Sequence, residues 1–492
     1  MSEVTSELLA PGNDPQAEDR GCCGRKVFTI DPNPTTQYDQ IKAFLLLCFI
    51  ASPWIADAAT WQTQFNTRTP FLQSLGLSEF WSSQVWISGP VMGFIVAPIV
   101  GTYSDCTTSV LGRRRPWFIG GMILLAISQL FLAWSSDIFT SRSSALALAI
   151  PMQLLGDAAM NIIQTPLRAF SSDLAPANKQ FTTQLLAVCF QGLGQLIGFG
   201  LQKEMYHSAG DVNILYTTVF ALSAVIFSVV CIFVIEKPLT GVVAKVNPCK
   251  PFSDLFVNIH KMETRLLVVG IIQFFSWFAE FAYIPVASTW MAVSVYNGCP
   301  KAGLDGCTEQ GAMDYQRGLE SFAQMGIYGN IIQTLFALGL SYWMYTSPPV
   351  QGVRLTYASG LLVGTVACML AKFGPQTEQV GNIVAVLMYI PYTIIWAFPF
   401  AIVGKYCTNN GGLDLGAQFG LLNIFIVIPQ LFATFAVSMI RNSLGDTSGL
   451  PWIMYLAGCS FICAAVSAMC VHDYEKKTED PEYQALEEDL NI

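Results

Sequence analysis

The sequence predicts an all-α membrane protein that crosses the bilayer twelve times, and three observations lead to this prediction. Apolar residues make up 53% of the 492 positions and charged residues only 12%, against about 25% in soluble domains. Uncharged runs of about 20 residues, the length that crosses hydrocarbon, recur along the chain. Polar segments separate these runs. So little charge cannot cover soluble domains of this total size.

The most informative single element is a short charged loop, 101–116, between two uncharged runs. The runs 85–100 and 117–135 contain no Asp, Glu, Lys or Arg, whereas the loop contains Asp105 and the consecutive arginines Arg113, Arg114 and Arg115. Three arginines cannot lie in hydrocarbon, and positive charge favours cytosolic loops. The loop is therefore predicted at the cytosolic face, which orients the helices on either side of it.

Twelve apolar runs are long enough to be crossings. They lie near 41–65, 82–101, 117–136, 144–168, 181–202, 213–235, 264–288, 319–345, 353–372, 379–405, 415–440 and 450–471. The sequence accordingly predicts a cytosolic tail (1–40), a six-helix bundle (41–236), a cytosolic central loop (237–263), a second six-helix bundle (264–472) and an acidic cytosolic tail (473–492).

The distribution of positive charge supports cytosolic termini. Of the 25 Lys and Arg, few fall outside in this arrangement. They are Arg68, Arg142, Lys203, Lys301, Arg317, Lys372 and Arg441. The first forty residues are polar and lack the apolar core of a cleaved signal peptide. Two halves of six helices are typical of the major facilitator fold, in which each half is a pair of inverted three-helix repeats.

Two polar stripes support such a repeat. The first crossing carries Asp57, Trp61, Gln64 and Arg68 at i, i+4, i+7 and i+11, on one helical face. The fourth crossing carries the same spacing 100 residues later, as Asp157, Asn161, Gln164 and Arg168. An inverted pair places Arg68 at the outer end and Arg168 at the inner end. A chance coincidence of short polar stripes is the alternative.

Acidic side chains inside predicted crossings mark candidate functional sites, because burying a charge in the bilayer is costly. Asp157 lies near the middle of the fourth crossing, where desolvation disfavours its charged form, which suits a proton acceptor. The alternative is a neutral Asp that bonds neighbouring helices. Asp57, with Trp61 and Gln64, is a second candidate.

A third stripe, Gln273, Trp277 and Glu280, lies on one face of the seventh crossing. Trp277 is placed to stack on a sugar ring, and Gln273 and Glu280 to bond its hydroxyls. We therefore predict substrate binding by Asp57, Trp61, Gln64, Asn161, Gln164, Arg168, Gln273, Trp277 and Glu280. Interhelical hydrogen bonds and aromatic packing are the alternative explanation.

The charged cytosolic loop is predicted to act in gating. Asp105, Arg113, Arg114 and Arg115 can pair across the two halves in one conformation and separate in another. Arg168 and Asp173, at the inner end of the fourth crossing, are expected partners in this network. Arg168 can instead extend up into the cavity.

Other chemistry is weakly represented. The 14 cysteines form no metal-type CxxC pair, and the 3 histidines lie in predicted loops, so we expect no cofactor, no metal and no enzyme activity. Basic residues are not in excess, which disfavours nucleic-acid binding. Cys299 and Cys307 flank a polar outer loop, where a disulfide is as plausible as two thiols.

Several motifs resemble the sucrose transporter family, the plant sucrose–proton symporters with their animal and fungal relatives. They run through nearly the whole membrane domain: Trp61-Gln-Thr-Gln64, 69–76, Trp86-Ile-Ser-Gly89-Pro90, 98–105, Gly112-Arg-Arg-Arg-Pro116, 157–169, Val295-Tyr296-Asn-Gly298 and 422–430. The resemblance implies a major facilitator fold and proton-coupled disaccharide transport by alternating access. It ties Asp157 to proton coupling and Arg168 to substrate binding.

The sequence also departs from that family. The charged cluster that plant members place around Trp290-Met291 is replaced by Thr289, Ala292, Val293 and Ser294, and Glu280 stands where plants have an apolar aromatic. Proton-coupled symport of sucrose or a related disaccharide is the prediction. Another sugar, an organic cation such as a polyamine, or a non-transporting sensor are the alternatives.

The C-terminal tail contains Tyr483-Gln-Ala-Leu486, the pattern of a sorting signal that an adaptor binds. The plasma membrane and the endolysosomal or vacuolar membrane are both open as locations.

Overall fold

A computed structural model describes residues 26–77, 81, 85, 88–206, 211–237, 239, 264–299, 307–346, 352–409 and 415–471. The sorting pattern Tyr483–Leu486, most of the predicted central loop and the acidic tail lie outside these residues. The described part is almost entirely helical.

The described residues of the N-terminal half form eight α-helices. They are α1 (Gln37–Ala51), α2 (Pro53–Ser74), α3 (Ser88–Asp105), α4 (Arg115–Ala133), α5 (Ser135–Ile138), α6 (Arg142–Leu174), α7 (Gln180–Met205) and α8 (Val212–Phe233). A 3₁₀ turn, Ala177–Lys179, leads into α7.

The C-terminal half contains seven more among the described residues. They are α9 (Thr264–Tyr283), α10 (Ala287–Trp290), α11 (Glu309–Thr346), α12 (Gly352–Phe373), α13 (Glu378–Leu387), α14 (Tyr389–Asn409) and α15 (Leu415–Ala468). A π-helical turn, Met291–Val295, follows α10.

The helices coincide with the predicted crossings. Among the described residues, 10 helical stretches are long and apolar enough to span a membrane, so the chain is an integral membrane protein. Two further long helices, α3 and α11, overlie the remaining two predicted runs. Twelve crossings and cytosolic termini stay predictions.

Some apolar runs hold more than one helix. The first crossing is divided at Ser52, before Pro53, whose ring occupies the first turn of α2.

The opposite case is α15, which covers two apolar runs. A bend at Gly445, with φ 71° and ψ 173°, separates its two helical stretches. These match the two predicted crossings 415–440 and 450–471.

Two main clusters of buried apolar side chains form the core, one in each half. One is built mainly from α1–α8 around Trp54, Phe118 and Phe170. The other is built mainly from α9–α15 around Trp290, Phe398 and Phe461. Each half therefore has a packed interior, and the second cluster also takes in Ala169 of α6 and Leu185 and Val188 of α7, across the contact between the halves.

The halves meet closely where α3 crosses α15. A Cβ added at Gly416 would lie 2.6 Å from the carbonyl oxygen of Gly101, and the reverse approach, from Gly101 to the Gly416 oxygen, is also in contact. Only glycine permits two helix backbones to approach this closely. We call the end of the molecule that holds this crossing and the loop 106–114 the inner end, and the opposite end the outer end.

Candidate functional site

The arginine loop forms a buried ion network at the inner end. The Arg114 side chain is fully buried and reaches two carboxylates, with Nη2 2.6 Å from Asp105 Oδ1 and Nε 2.8 Å from Asp173 Oδ2. Arg113 Nη2 lies 2.6 Å from the other Asp173 oxygen. Burial tends to lower the pKa of Arg114, but the Asp173 and Asp105 carboxylates outweigh it and raise the pKa. Arg114 therefore stays charged.

Asp105 links this network to the other half of the molecule. Its carboxylate accepts hydrogen bonds from the backbone N–H groups of Gly416 at 3.0 Å and Ala417 at 2.7 Å. These are among the first residues of α15, and helix N-termini favour negative charge. A charged side chain of one half thus holds a helix end of the other. The predicted contact across the halves is thus made by Asp105 and a helix end, whereas the described ion pairs of Arg113, Arg114 and Arg115 lie within the N-terminal half. The gating role stays a prediction.

Glu236, just after α8, anchors the arginine loop to the N-terminal half. It accepts hydrogen bonds from the backbone N–H groups of Arg114 and Arg115 at 3.0 to 3.1 Å, and Arg115 Nε lies 3.7 Å away. Burial raises the pKa of Glu236, although the Arg115 and Arg114 backbone donors favour its charged form. Gly112 has φ +104° and packs directly against Glu236, which explains a glycine before the three arginines.

The expected pairing of Arg168 with Asp173 is wrong among the described contacts. Asp173 pairs with Arg113 and Arg114 instead. Arg168 extends into the membrane interior, where its Nη1 donates to the Trp396 carbonyl at 3.2 Å. Its guanidinium also lies 3.6 Å from the centre of the Phe400 ring and 4.6 Å from Trp54. The Arg168 side chain thus points away from Asp173 and toward α14 of the other half, and its reach into a cavity stays a prediction.

The two polar stripes of α2 and α6 lie against each other in opposite directions. Near the outer end, Asp157 is fully buried and pairs with Arg68, whose Nη2 is 3.0 Å from Asp157 Oδ1. Ser88 and Gln153 also donate to Asp157, Gln153 at 3.0 Å. In this conformation the Asp157 carboxyl group is thus hydrogen-bonded, paired with Arg68 and without contact to the surface.

Near the inner end, Gln164 Nε2 donates to Asp57 Oδ2 at 2.9 Å. Asp57 is 3% exposed, and its second oxygen, Oδ1, has no hydrogen-bond partner among the described residues. Asn161, which was expected to face the cavity beside Asp157, donates to the Asp157 carbonyl at 2.8 Å. Trp61 stacks on Phe65 with ring centres 5.5 Å apart.

The stripe on α9 faces α14. The Trp277 ring meets the Trp396 ring edge-on at 5.2 Å, and Arg168 lies 5.1 Å from the centre of Trp396. Trp396 therefore joins the α6 stripe of one half to the α9 stripe of the other. Gln273 and Glu280 are buried beside Trp277, and Tyr389 and Tyr392 of α14 interact electrostatically with Glu280.

Several buried polar atoms of α9, the helix whose Trp277 contacts Trp396, have no hydrogen-bond partner among the described residues. They are both polar side-chain atoms of Gln273, Ser276 Oγ, Trp277 Nε1 and Glu280 Oε1. A buried polar atom left unpaired costs about 1–3 kcal/mol. These atoms are therefore the bonding capacity that remains for a polar ligand, next to aromatic faces that can stack.

The sequence missed several members of this arrangement. Arg68 was placed on a stripe but not in a site, and Glu236 was not singled out. Trp396 and Phe400 lie in an apolar run, where they look like ordinary core residues. The intramembrane charge of Arg68, four residues after Gln64, is the signal that could have identified it.

Cys299 and Cys307, left open from the sequence, are joined by a disulfide with Cα atoms 5.8 Å apart. No group of three or more His, Cys, Asp or Glu in the described part is placed to hold a metal ion.

The chain is similar to known membrane transport proteins in sequence. Residues 107–434 match the model of the Major Facilitator Superfamily. The chain is similar to Sucrose transport protein SUT5 of Oryza sativa subsp. indica, at 26% identity over 489 residues covering 88% of each chain. It is also similar to Sucrose transport protein SUT3 of the same plant, at 25% identity over 87% of this chain and 92% of the relative. These relatives are transport proteins and not enzymes.

Solved structures share the fold. The fucose:proton symporter FucP of E. coli aligns with a TM-score of 0.61 at 14% identity, over 88% of this chain and 99% of its own. The human organic anion transporter MFSD10 aligns with a TM-score of 0.60 at 15% identity, over 87% of this chain and 100% of its own.

Proposed function

This chain belongs to the Major Facilitator Superfamily, and on that premise we propose that it carries sucrose or a related disaccharide across the membrane by proton-coupled symport. Its similarity to plant sucrose transport proteins over 88% of the chain supports a sugar substrate. Alternating access, in which the two halves rock about a central site, is the transport mode of this fold.

The observation that carries the sugar assignment is the arrangement around Trp396. The Trp277 and Trp396 rings lie edge-on against each other, and the Trp277 indole N–H group and the Gln273 amide have no partner among the described residues. A sugar ring has apolar faces and a rim of hydroxyls that matches this combination. Arg168 adds a charged donor between the halves, so a bound sugar would contact both halves at once.

Proton coupling is proposed at Asp157. In this conformation Arg68 lies 3.0 Å from Asp157, so a proton that binds Asp157 removes the charge attraction between the two side chains and favours their separation. Protonated Asp157 can stay buried without its arginine, whereas ionised Asp157 cannot, because an uncompensated buried charge costs several kcal/mol. Protonation of Asp157 therefore controls whether the Arg68–Asp157 ion pair forms.

The inner-end network is proposed as the gate. Asp105 holds the start of α15 through two backbone hydrogen bonds of 3.0 and 2.7 Å, and these bonds must break for the inner end to open. Arg114 would then still keep Asp105 and Asp173 compensated within the N-terminal half.

Transport by purified protein in proteoliposomes tests this function. Labelled sucrose uptake should rise as the external pH is lowered, and excess unlabelled disaccharide should compete with it. Trp396→Ala should raise the KM by about tenfold, by analogy with stacking energies of 1–3 kcal/mol. Trp343→Ala, which removes a tryptophan that is 42% exposed on α11, is the control and should leave the KM unchanged. Uptake that no sugar competes with would refute the sugar assignment.

A second candidate substrate is an organic cation such as a polyamine, and Glu280 favours it. Glu280 is 2% exposed, and no cationic side chain among the described residues pairs with it. A ligand ammonium group would compensate it, with the tyrosines of α14 beside it. Competition of spermidine against sucrose uptake tests this candidate. Competition that Glu280→Gln abolishes would favour the cation, and no competition would exclude it.

We also propose that both termini are cytosolic and that an adaptor binds Tyr483–Leu486 and thereby sets whether the protein lies in the plasma membrane or in an endolysosomal or vacuolar membrane. Imaging of tagged protein with and without Tyr483→Ala tests this. An unchanged location at the plasma membrane would contradict it.

A further inference from the structure

The polar stripes of α2 and α6 each contain one aspartate and one arginine, and the aspartate of each stripe faces the arginine of the other. Asp57 and Asp157 are equivalent positions of the repeat, 100 residues apart, and so are Arg68 and Arg168. The stripes run in opposite directions, so each aspartate lies toward the arginine of the other stripe. Arg68 with Asp157 near the outer end therefore has a counterpart, Arg168 with Asp57, near the inner end.

The two combinations are in different states in the same structure. The outer pair is closed, with Arg68 Nη2 3.0 Å from Asp157 Oδ1. The inner pair is open, because Arg168 donates to the Trp396 carbonyl at 3.2 Å and stacks on Phe400, both in α14 of the other half. Asp57 and Arg168 are close enough to interact electrostatically but form no ion pair among the described contacts.

The glutamines of the stripes show the same asymmetry. At the open inner pair, Gln164 Nε2 takes the place of the arginine and donates to Asp57 at 2.9 Å. At the closed outer pair, Gln64 accepts from Arg68 through Oε1, and its own Nε2 has no hydrogen-bond partner among the described residues.

Two buried orphan atoms, Asp57 Oδ1 and Gln64 Nε2, are the atoms that the exchanged arrangement would use. If the inner pair closed, Arg168 would donate to Asp57 Oδ1. If the outer pair opened, Gln64 Nε2 would donate to Asp157, as Gln164 now donates to Asp57. The orphan atoms thus fit a second conformation in which the states of the two pairs are reversed.

We propose that the two Asp–Arg pairs close alternately during transport, so that Arg68 and Asp57 are positioning residues for the coupling step. The proposal rests on alternating access as described under the proposed function. When the inner end opens, α14 moves away from Arg168, and Asp57, the carboxylate with which Arg168 already interacts electrostatically, can receive this cation. Arg68–Asp157 stabilises the conformation closed at the inner end, and Arg168–Asp57 stabilises the one open there.

This arrangement links the proton to the movement of the halves. A proton that binds Asp157 releases Arg68 and removes the pair that favours the closed inner end. Loss of the proton allows Arg68 to return and favours closure again. Tyr216 of α8 is a further titratable group that interacts with both Arg68 and Asp157, and Ser88 and Gln153 donate to Asp157 without charge.

Distances between spin labels at Asn178 and Asn409 test the proposal. Both residues are exposed at the inner end, one in each half, next to Gln180 and Thr408, which are hydrogen-bonded at 3.3 Å. Opening of the inner end separates the labels. The measurement needs neither sugar nor a proton gradient, so its outcome does not depend on which substrate is carried.

Arg68→Gln should raise the ratio of open to closed populations at least about tenfold, and Asp57→Asn should lower it by a similar factor, since each substitution removes a charge-assisted hydrogen bond from one conformation. The variant with both substitutions should lie near the wild type. Asp137→Asn removes a carboxylate outside the stripes and should leave the ratio unchanged.

Arg68→Gln leaves Asp157 uncompensated and can impair folding. The variant Arg68→Gln with Asp157→Asn removes both charges and should show the same shift toward the open conformation. Shifts of Arg68→Gln and Asp57→Asn in the same direction, or no shift with Asp57→Asn, would overturn the proposal. Absence of sucrose uptake by the wild-type protein, together with the expected opposite shifts in the variants, would instead refute only the assigned substrate.

Discussion

The close crossing of α3 and α15 gives a prediction for Gly416→Ala. A Cβ at position 416 would lie 2.6 Å from the Gly101 carbonyl oxygen, 2.8 Å from Arg114 Nη1 and 2.9 Å from Asp105 Oδ1. Ordinary contacts of this kind begin near 3.4 Å. Two of these neighbours belong to the buried ion network and the third is backbone, so none can move without loss of a hydrogen bond or a helix shift.

The magnitude follows from the cost of overpacking. Extra methyl groups in a packed interior cost about 1–3 kcal/mol, and here the cost falls only on the conformation in which α3 and α15 are in contact. Such an energy changes an equilibrium about 5- to 150-fold. Gly416→Ala should therefore favour the conformation open at the inner end by this factor.

The assay is the rate at which a thiol reagent modifies Cys407, followed by mass spectrometry. Cys407 is 2% exposed near the inner end of α14, so its labelling should accelerate by the same factor. Gly89→Ala is the matched control, since it adds a methyl group to α3 at a position with nothing within 4 Å. An unchanged Cys407 rate in folded Gly416→Ala protein, or an equal acceleration in Gly89→Ala, would refute the reasoning.

Three further substitutions probe the other contacts. Glu236→Ala removes the acceptor of the Arg114 and Arg115 backbone N–H groups and should lower the free energy of unfolding by about 2–3 kcal/mol. Glu236→Gln keeps an acceptor oxygen and should retain most of that stability. Thermal unfolding in detergent measures both variants, and equal losses would contradict the hydrogen-bonding role. Arg168→Lys keeps the charge but loses planar stacking on Phe400, so the KM for sugar should rise about tenfold, and an unchanged KM would exclude Arg168 from binding. Asp105→Asn should speed Cys407 labelling, because it weakens the hold on the start of α15, and slower labelling would contradict this.

The positions of the helices follow from the sequence because an apolar run of about 20 residues must satisfy its backbone hydrogen bonds internally in lipid, and a helix does so. The apolar runs 117–136 and 213–235 agree with α4 and α8 within a few residues. Interruptions within a run were less predictable. Ser52 and Met388 each separate two helices inside one apolar run, and composition alone does not distinguish such a break from a continuous crossing.

The sequence predicted which residues belong to the candidate site better than it predicted which of their side chains form ion pairs and hydrogen bonds. Spacing alone placed Asp57 with Gln64 and Asp157 with Gln164 on helical faces. Which partner each carboxylate takes depends on the distance between α2 and α6 and on side-chain reach, and neither is encoded in spacing. Trp396 belongs to the site because α14 packs between α6 and α9, a tertiary contact with no local sequence signal.

Uphill accumulation of labelled sucrose in proteoliposomes, driven by an imposed pH gradient, tests the proposed proton-coupled transport most directly. The wild-type protein should concentrate sucrose above its external level, and Asp157→Asn should only equilibrate it. Failure of the wild type to accumulate sucrose, or undiminished accumulation by Asp157→Asn, would contradict proton coupling through Asp157.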